Sequence, residues 1–234
     1  MGKYRQIQFG VEKVAVGDVP RHIHRDGYAN IVLSGSFTEA SFAGRTRASP
    51  GMVLLHGPFD CHADVSGSAG GPTILRLPWR RVCIEGAYRV GDADQLAGLT
   101  ERDPLQAELA LARMLEPVES GPVGWPDELA RALGSEPEIV LRDWAEQRSL
   151  NPASLSRGFR DAYGVSPQRF RLEARTRLAW RRIVTESASF TQIAHECSFA
   201  DLAHMSRSLA AFTGAGPSAW RVADRSPGES ISRR

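Results

Sequence analysis

Twelve arginines lie between Arg142 and Arg221 against seven acidic residues, whereas the whole 234-residue chain has a net charge of only +2. A guanidinium group is a planar donor that fits phosphate oxygens and guanine edges. Arginines gathered in one part of a chain are typical of a protein that binds a polyanion, although a solvated helix face can carry the same charge. The first chemistry that this sequence suggests is therefore polyanion binding.

The arginine-rich part of the chain contains one motif twice. The stretch "LSRGFRDAYGVSPQRFR" at 155–171 aligns without gaps with "MSRSLAAFTGAGPSAWR" at 205–221, and serine, arginine, glycine and proline recur at matching positions. A solenoid needs about three stacked copies, so two copies do not make one. They indicate a pair of similar modules.

Each copy follows a short predicted helix and a tight turn, which is the pattern of a helix-turn-helix. Asn151 and Pro152 are a suitable cap and first residue for the second helix of the first copy, and Asp201 is a suitable cap in the second copy. A helical wheel of the first copy places Leu155, Phe159 and Ala162 on one face, which we predict to be core. The opposite face, which we predict to meet DNA, carries Ala153, Arg157, Arg160 and Asp161.

The two modules are joined by a predicted helix over about 167–187. At about 1.5 Å per residue it spans roughly 30 Å. Successive major grooves on one side of B-DNA lie about 34 Å apart. A connecting helix of this length could hold two recognition helices in adjacent grooves, so that one chain contacts two turns of the duplex.

These residues resemble the DNA-binding domain of the AraC/XylS transcription regulators. The similarity covers roughly 124–222 and includes "LSR", "GVSP", "RLAWRRI", "IAHECSF" and "GPSAWR" in that order. The resemblance implies a bacterial DNA-binding regulator of transcription. It also implies that Arg160 contacts the DNA backbone and that the base-reading residues are Ala153, Ser156, Arg157, Leu202, Ala203, His204, Ser206 and Arg207.

The sequence departs from the family pattern at two places. Ser149 and Ser198 stand in the two turns where the family has glycine, so a positive φ there would strain the serine backbone. Ala210 and Ala211 stand in the second recognition helix where the family commonly has basic residues. Fewer phosphate contacts predict weaker, less salt-dependent binding by the second module.

The first hundred residues have the texture of strands, with short apolar runs separated by Gly, Pro, Ser and Asp turns. This pattern favours a small antiparallel sandwich or barrel. The stretches "PRHIHRDGYANIVLSG" and "SPGMVLLHGPFDCHA" resemble the two motifs of the cupin barrel, which often serves as the sensory domain of such regulators.

Metal-binding cupins use a histidine pair, a glutamate and a later histidine. By this resemblance His22, His24 and His62 are candidate metal ligands, and three imidazoles could hold Zn, Fe or Ni. Tyr28 and its neighbours occupy the region of the glutamate, and His56 is a further histidine without an assigned role. The alternative is a metal-free effector domain in which His22, His24, Tyr28 and His62 line the pocket.

Between the two parts the sequence predicts a helix that begins after Asp103 and ends at Pro117. Its apolar stripe would be Leu105, Leu109, Ala112 and Leu115, packed on the same chain or on a second copy. A loop at 119–124 follows. The predicted domains are thus a sensor at 1–100, a helical linker at 101–123, a DNA-binding domain at 124–222 and a disordered tail at 223–234.

Several function classes find no support in the sequence. Cys61, Cys83 and Cys197 are scattered, which favours reduced thiols rather than disulfides or a thiolate zinc site. No apolar run is long enough to span a membrane and no signal peptide is present, so we expect a cytoplasmic location. No nucleophile motif or glycine-rich phosphate loop is present either.

The sequence therefore predicts an α+β multi-domain protein with an N-terminal cupin-like antiparallel β-barrel and a C-terminal all-α domain. The all-α domain would contain two helix-turn-helix motifs joined by a long helix. The predicted function is a transcription regulator, not an enzyme, that binds double-stranded DNA and senses a small molecule or a metal. RNA polymerase and a second copy of the chain are further candidate partners. The alternatives are a metal-dependent cupin enzyme with an accessory helical domain and a partner-binding protein that has lost DNA affinity.

Overall fold

The computed structural model describes residues 4–66, 70–81, 85–118, 124–135 and 139–223. The predicted loop at 119–124 except Gly124, Cys83, and the predicted tail after residue 223 lie outside these ranges. The chain divides into two compact units. One unit contains Met1–Arg131 and Ala153–Ser166, and the other contains Ala132–Pro152 and Pro167–Arg234.

The first unit is built on two antiparallel sheets. The six-stranded sheet has the order β1-β8-β3-β6-β9-β10 and the four-stranded sheet has the order β2-β7-β4-β5. The strands are β1 (Gly10–Lys13), β2 (Gly17–Ile23), β3 (Tyr28–Ser34), β4 (Phe37–Ser41), β5 (Gly44–Ala48), β6 (Met52–His56), β7 (Cys61–Ser66), β8 (Thr73–Pro78), β9 (Gly86–Arg89) and β10 (Glu116–Pro117). We call these two sheets the β domain.

Alternate residues of β3 enter two different hydrophobic cores, because successive side chains of a strand point to opposite faces. Ala29 and Ile31 pack with the helices that cover the six-stranded sheet. Val32 packs with Phe37 and Ala48 of the four-stranded sheet. The predicted N-terminal antiparallel β fold, followed by helices, is confirmed.

Two helices cover one face of the six-stranded sheet: α1 (Ala93–Arg102) and α2 (Pro104–Met114). The strand texture that the sequence suggests up to about residue 99 is wrong after residue 92, where the Asp92 carboxylate accepts a hydrogen bond from the Gln95 amide and starts α1. Helix α2 begins as predicted, with Asp103 accepting from two amides of its first turn. It ends before Pro117, which pairs with β9 as part of β10.

The predicted apolar stripe of α2 is right in part, because Ala112 and Leu115 pack against the core beneath the helix but Leu105 does not. Leu105 is 58% exposed, whereas Ala107 and Leu111 are fully buried in the core beneath the helix. Either set of residues has helical spacing, so spacing does not fix which side of the helix packs. The contact with the β domain of the same chain selects the side that carries Ala107.

The remaining helices include the predicted long helix over about 167–187 and the helices of the two predicted helix-turn-helix motifs. They are α3 (Trp125–Ser135), α4 (Leu141–Glu146), α5 (Pro152–Tyr163), α6 (Pro167–Thr185), α7 (Phe190–Glu196), α8 (Leu202–Thr213) and α9 (Pro217–Ala223). Helix α5 belongs to the first unit together with the β domain. In the second unit, α6, α7 and α8 share a core that includes Ile183, Ile193 and Leu209.

Candidate functional site

Cross-strand pairing brings the predicted histidines together in the β domain. His22 on β2 lies directly opposite His62 on β7, and His24 follows the end of β2. Tyr28, the first residue of β3, lies opposite His56 on β6. Residues that are directly opposite on an antiparallel pair have side chains on the same face, so this register places the imidazoles in one cluster.

His22, His24 and His62, which we call the three-histidine site, each offer one ligand atom within 4.8 Å of the others. The Nδ1 atoms of His22 and His24 lie 2.9 and 2.7 Å from the carbonyl oxygens of Pro20 and Arg5. A carbonyl oxygen only accepts, so in the neutral rings Nδ1 carries the proton and Nε2 keeps its lone pair. The Nδ1 atom of His62 is buried and has no hydrogen-bond partner among the described residues. The donor set therefore fits a divalent metal.

The electrostatics of the three-histidine site also fit ligation. Burial lowers the pKa of His22 to about 4 and the pKa of His24 to about 3. Burial also lowers the pKa of His62 well below its ordinary value. All three rings are therefore neutral at pH 7, which is the protonation state that binds a metal.

A buried charged cluster lies beside the three-histidine site. His56 Nδ1 is 2.8 Å from Asp60 Oδ2, and His56 Nε2 is 3.3 Å from Glu39 Oε2. Burial by itself lowers the pKa of His56, but Glu39 and Asp60 outweigh it and raise the pKa to about 10. His56 is thus an imidazolium at neutral pH and has no lone pair for a metal.

Glu39 is a residue that the sequence interpretation missed. The cupin-like motif has Tyr28 in the region of the glutamate, but β4 supplies a buried glutamate from the neighbouring hairpin. The side chains of Glu39, His56 and His62 also converge, but the protonated His56 leaves only Glu39 and His62 as metal donors in this group. Alternation of polar and apolar residues in "SFTEAS" is the one sequence signal that could have indicated an inward-facing Glu39.

The predicted DNA-reading face of α5 is open to solvent. Leu155 and Phe159 are buried as predicted, whereas Ala153, Arg157 and Arg160 are exposed and Ser156 is half-buried. Within the described ranges Arg157 and Arg160 make no ion pair. Their guanidinium groups are therefore available for phosphate or base edges.

In the second unit, α7 and α8 form a helix-turn-helix. The Asp201 carboxylate accepts from the His204 amide at 2.6 Å, so the predicted cap of α8 is confirmed. The predicted contact residues differ in exposure: Ala203 and Arg207 are exposed, while His204 and Ser206 are half-buried. Leu202 packs against the core of the unit.

Both turns contain the strained serines that the sequence suggests. Ser149 has φ 55° and Ser198 has φ 57°. The turns have matching hydrogen bonds, because Leu150 N donates to Ala145 O at 2.9 Å and Phe199 N donates to Ala194 O at 2.9 Å. The left-handed backbone at the serine is therefore a common feature of the two turns.

Several arginines of the second unit maintain its fold. Arg175 donates to the carbonyl oxygen of Ser198 at 3.0 Å and lies over the ring of Phe199. Arg171 donates to the carbonyl oxygen of Ile139 at 2.6 Å, and Arg182 pairs with Glu186 and Glu196. The charge count from the sequence thus overstates the charge that is free to contact DNA.

The chain is similar to one protein-family model and to several solved structures. A protein-family model described as a helix-turn-helix domain matches residues 144–223. None of the curated proteins matches the chain. Among solved structures, a transcriptional regulator with an AraC-type DNA-binding domain from Chromobacterium violaceum is 24% identical, with 43% of this chain and 92% of that chain covered and a TM-score of 0.40.

Two further solved structures are similar to this chain. The DNA-binding domain of AdpA in complex with a target DNA is 24% identical, with coverage of 43% of this chain and 92% of that chain and a TM-score of 0.40. ToxT from Vibrio cholerae, with a bound unsaturated fatty acid, is 12% identical, with coverage of 92% and 91% and a TM-score of 0.42.

The family match assigns a helix-turn-helix domain to residues 144–223. Within the part of the chain that the structure describes, no helix has both the length and the apolar character needed to cross a membrane.

Proposed function

We propose that this chain is a DNA-binding transcription regulator of the AraC type. We further propose that its β domain is a sensor that binds a divalent metal through His22, His24 and His62, and that metal binding changes the affinity for operator DNA. The observation that carries the proposal is the convergence of three neutral imidazoles within 4.8 Å, with the Nε2 atoms of His22 and His24 left available. Zn, Fe and Ni all accept such a donor set.

The surroundings support a cation at this position. Glu39 and Asp60 flank the His56 imidazolium, and a third carboxylate, the half-buried Asp64, lies 4.0 Å from His62 Nε2. Carboxylates close to a ligand histidine offset part of the positive charge that a metal brings into a buried site. His22 lies on β2, His24 directly follows β2 and His62 lies on β7, so a bound metal would bridge the two strands.

On the DNA side, the proposal assigns Arg160 to the phosphate backbone. The exposure of α5 and α8 supports base contacts by Arg157 in the first helix and Arg207 in the second. The remaining proposed contact residues are Ala153, Ser156, Leu202, Ala203, His204 and Ser206. These contact residues all belong to the proposed DNA-binding part at 124–222. The proposal keeps 1–100 as the sensor and 101–123 as the linker.

Metal content of the protein purified without added metal tests the sensor proposal. We expect one Zn, Fe or Ni per chain, or stoichiometric uptake on titration with each ion, and loss of binding in His24→Ala. His195→Ala is the matched control, because His195 is an exposed histidine outside the β domain. If the wild-type protein takes up none of these ions, the metal proposal is wrong and a metal-free effector pocket is the interpretation to pursue.

A second measurement separates a sensor from a merely structural metal. Operator affinity is measured with the metal bound and after its removal by a chelator, with His24→Ala measured in parallel. A sensor predicts that the affinity of the wild-type protein changes and that the affinity of His24→Ala does not. Equal affinities with and without metal would show that the ion only stabilises the fold, because a ligand shifts an equilibrium only through differential affinity for its states.

A further inference from the structure

An ion pair on a buried carboxylate connects the β domain, through α3, with the first recognition helix. Arg45 on β5 contacts Asp127 on α3 with two nitrogens, Nε at 2.8 Å from Oδ1 and Nη2 at 3.2 Å from Oδ2. The hydroxyl group of Tyr163, the last residue of α5, donates to the same Oδ1 at 2.7 Å. One carboxylate thus joins a strand of the β domain to the end of α5.

The Asp127 carboxylate depends on both partners. Asp127 is only 4% exposed and Tyr163 is fully buried. A buried carboxylate that loses a partner keeps its desolvation cost without the compensating interaction. The three side chains, which we call the Arg45–Asp127–Tyr163 chain, therefore hold one another in a single arrangement.

Close backbone packing supports this arrangement at two glycines. A Cβ atom at Gly158 on α5 would lie 2.7 Å from Cζ2 of Trp125 on α3, which real side chains do not tolerate. Gly164, just after α5, has φ 73°, and a Cβ atom there would lie 3.3 Å from Cβ of Arg21 on β2. Helix α5 therefore fits closely against α3 and its end lies close to the β domain.

The same packing leaves the DNA-reading face of α5 free. Ala153, Arg157 and Arg160 are exposed, while the side of the helix that ends at Tyr163 is buried. A contact that holds a recognition helix without covering it fixes the orientation of the helix. Pre-organisation of this kind favours specific binding because less freedom is lost on association.

We propose that Arg45 and Asp127 are positioning residues for DNA recognition, which act through Tyr163 to fix the orientation of α5. The β domain thereby contributes to operator affinity through Arg45, whether or not it binds a metal. This assignment adds a specific role in DNA binding to a strand of the β domain.

The test compares Arg45→Gln and Tyr163→Phe with the control Arg47→Gln. Tyr163→Phe removes one hydroxyl group and keeps the ring that stacks on Phe159. Arg47 is an exposed arginine on the same strand as Arg45. Affinity for the DNA that flanks the gene of this protein and for unrelated DNA is measured at one salt concentration, together with amide exchange of α5 and α8 in the full-length protein.

We expect Arg45→Gln and Tyr163→Phe to weaken binding to the flanking DNA by about three- to tenfold, within the range known for coupling residues. Binding to unrelated DNA should stay unchanged, and amide exchange should rise in α5 but not in α8. Arg47→Gln should behave as the wild type.

Two results would overturn the assignment. In the first, both variants bind the flanking DNA as the wild type does and α5 exchanges at the wild-type rate. In the second, both variants lose affinity for the flanking DNA and for unrelated DNA by the same factor, and both unfold at a lower temperature. This is the behaviour of residues that only stabilise the fold. If the wild-type protein binds the two DNAs equally well, amide exchange still provides a test. An unchanged exchange rate of α5 in both variants would then reject the proposed link between Arg45 and this helix.

Discussion

The hydroxyl group of Tyr28 lies 3.1 Å from Nε2 of His62, a residue of the three-histidine site. This hydrogen bond occupies one of the two nitrogens that His62 could offer to a metal. Tyr28 is fully buried and its ring stacks on His56 with centroids 4.4 Å apart, so packing fixes the position of the hydroxyl group. We expect a metal to bind His62 through Nε2, so that Tyr28 and the metal compete for this nitrogen.

Removal of the Tyr28 hydroxyl group should therefore strengthen metal binding. A hydrogen bond is worth about 1 kcal/mol net, so Tyr28→Phe is expected to lower the Kd for Zn or Ni about fivefold. Isothermal titration measures the change, with Tyr88→Phe on β9 as the control. Weaker binding by Tyr28→Phe would show that the hydroxyl group supports the ligand set instead of competing with it.

Because of the buried His56 cluster, the free energy of unfolding should fall as the pH becomes alkaline. The pKa of His56 in the folded protein is about 10 against an ordinary value of 6.5. A raised pKa stabilises the fold fully below pH 6.5, and this contribution is lost as pH rises through about 10. The difference in free energy of unfolding between the wild type and His56→Gln should therefore shrink from pH 6.5 to pH 10. Urea unfolding at these pH values measures it, and a constant difference would contradict the charged state of His56.

Glycine at the two turn serines should stabilise the protein. A left-handed backbone costs about 1–3 kcal/mol at a residue other than glycine. Glycine removes this strain, but it also makes the unfolded chain more flexible, so part of the gain in stability is lost. Ser149→Gly and Ser198→Gly are each expected to raise the free energy of unfolding by about 0.5–1 kcal/mol. Ala210→Gly, in the exposed part of α8, should instead lower it by about 1 kcal/mol. Urea unfolding measures the free energy of unfolding of all three variants. A loss of stability in both serine variants would show that the serine hydroxyl groups stabilise the turns.

Arg157 should read a base. Arg157→Ala is expected to cost about 1–3 kcal/mol on the specific operator and much less on unrelated DNA. The exposed Arg142, which pairs with Asp143 and Glu146, provides the control Arg142→Ala. Fluorescence anisotropy at several salt concentrations measures both variants. An equal loss on all DNA, with a smaller salt slope, would assign Arg157 to a phosphate.

The helical part of the fold follows from the sequence because its signals are local. The repeated motif, the Asp201 cap and the 3.6-residue spacing of Leu155 and Phe159 depend only on near neighbours in the chain. The packed side of α2 does not, since Leu105 and Ala107 have equally good spacing and only the contact with the β domain distinguishes them.

The candidate sites depend on contacts between distant parts of the chain. The register of β2 with β7 brings His22 and His62 together, as the resemblance to cupins implies. Glu39 escaped notice because the motif places the glutamate near Tyr28, whereas β4 brings one in from another strand. Arg45 and Asp127 are 82 residues apart, and no spacing rule connects them.

The most direct test of the account is a mobility shift of the purified protein on the DNA that flanks its own gene, with unrelated competitor DNA, a salt series, and Zn or Ni added or removed. The account predicts a complex that resists the competitor, weakens with salt, and changes in affinity when the metal is removed. A protein that binds the flanking DNA no better than the competitor, with and without metal, would contradict it.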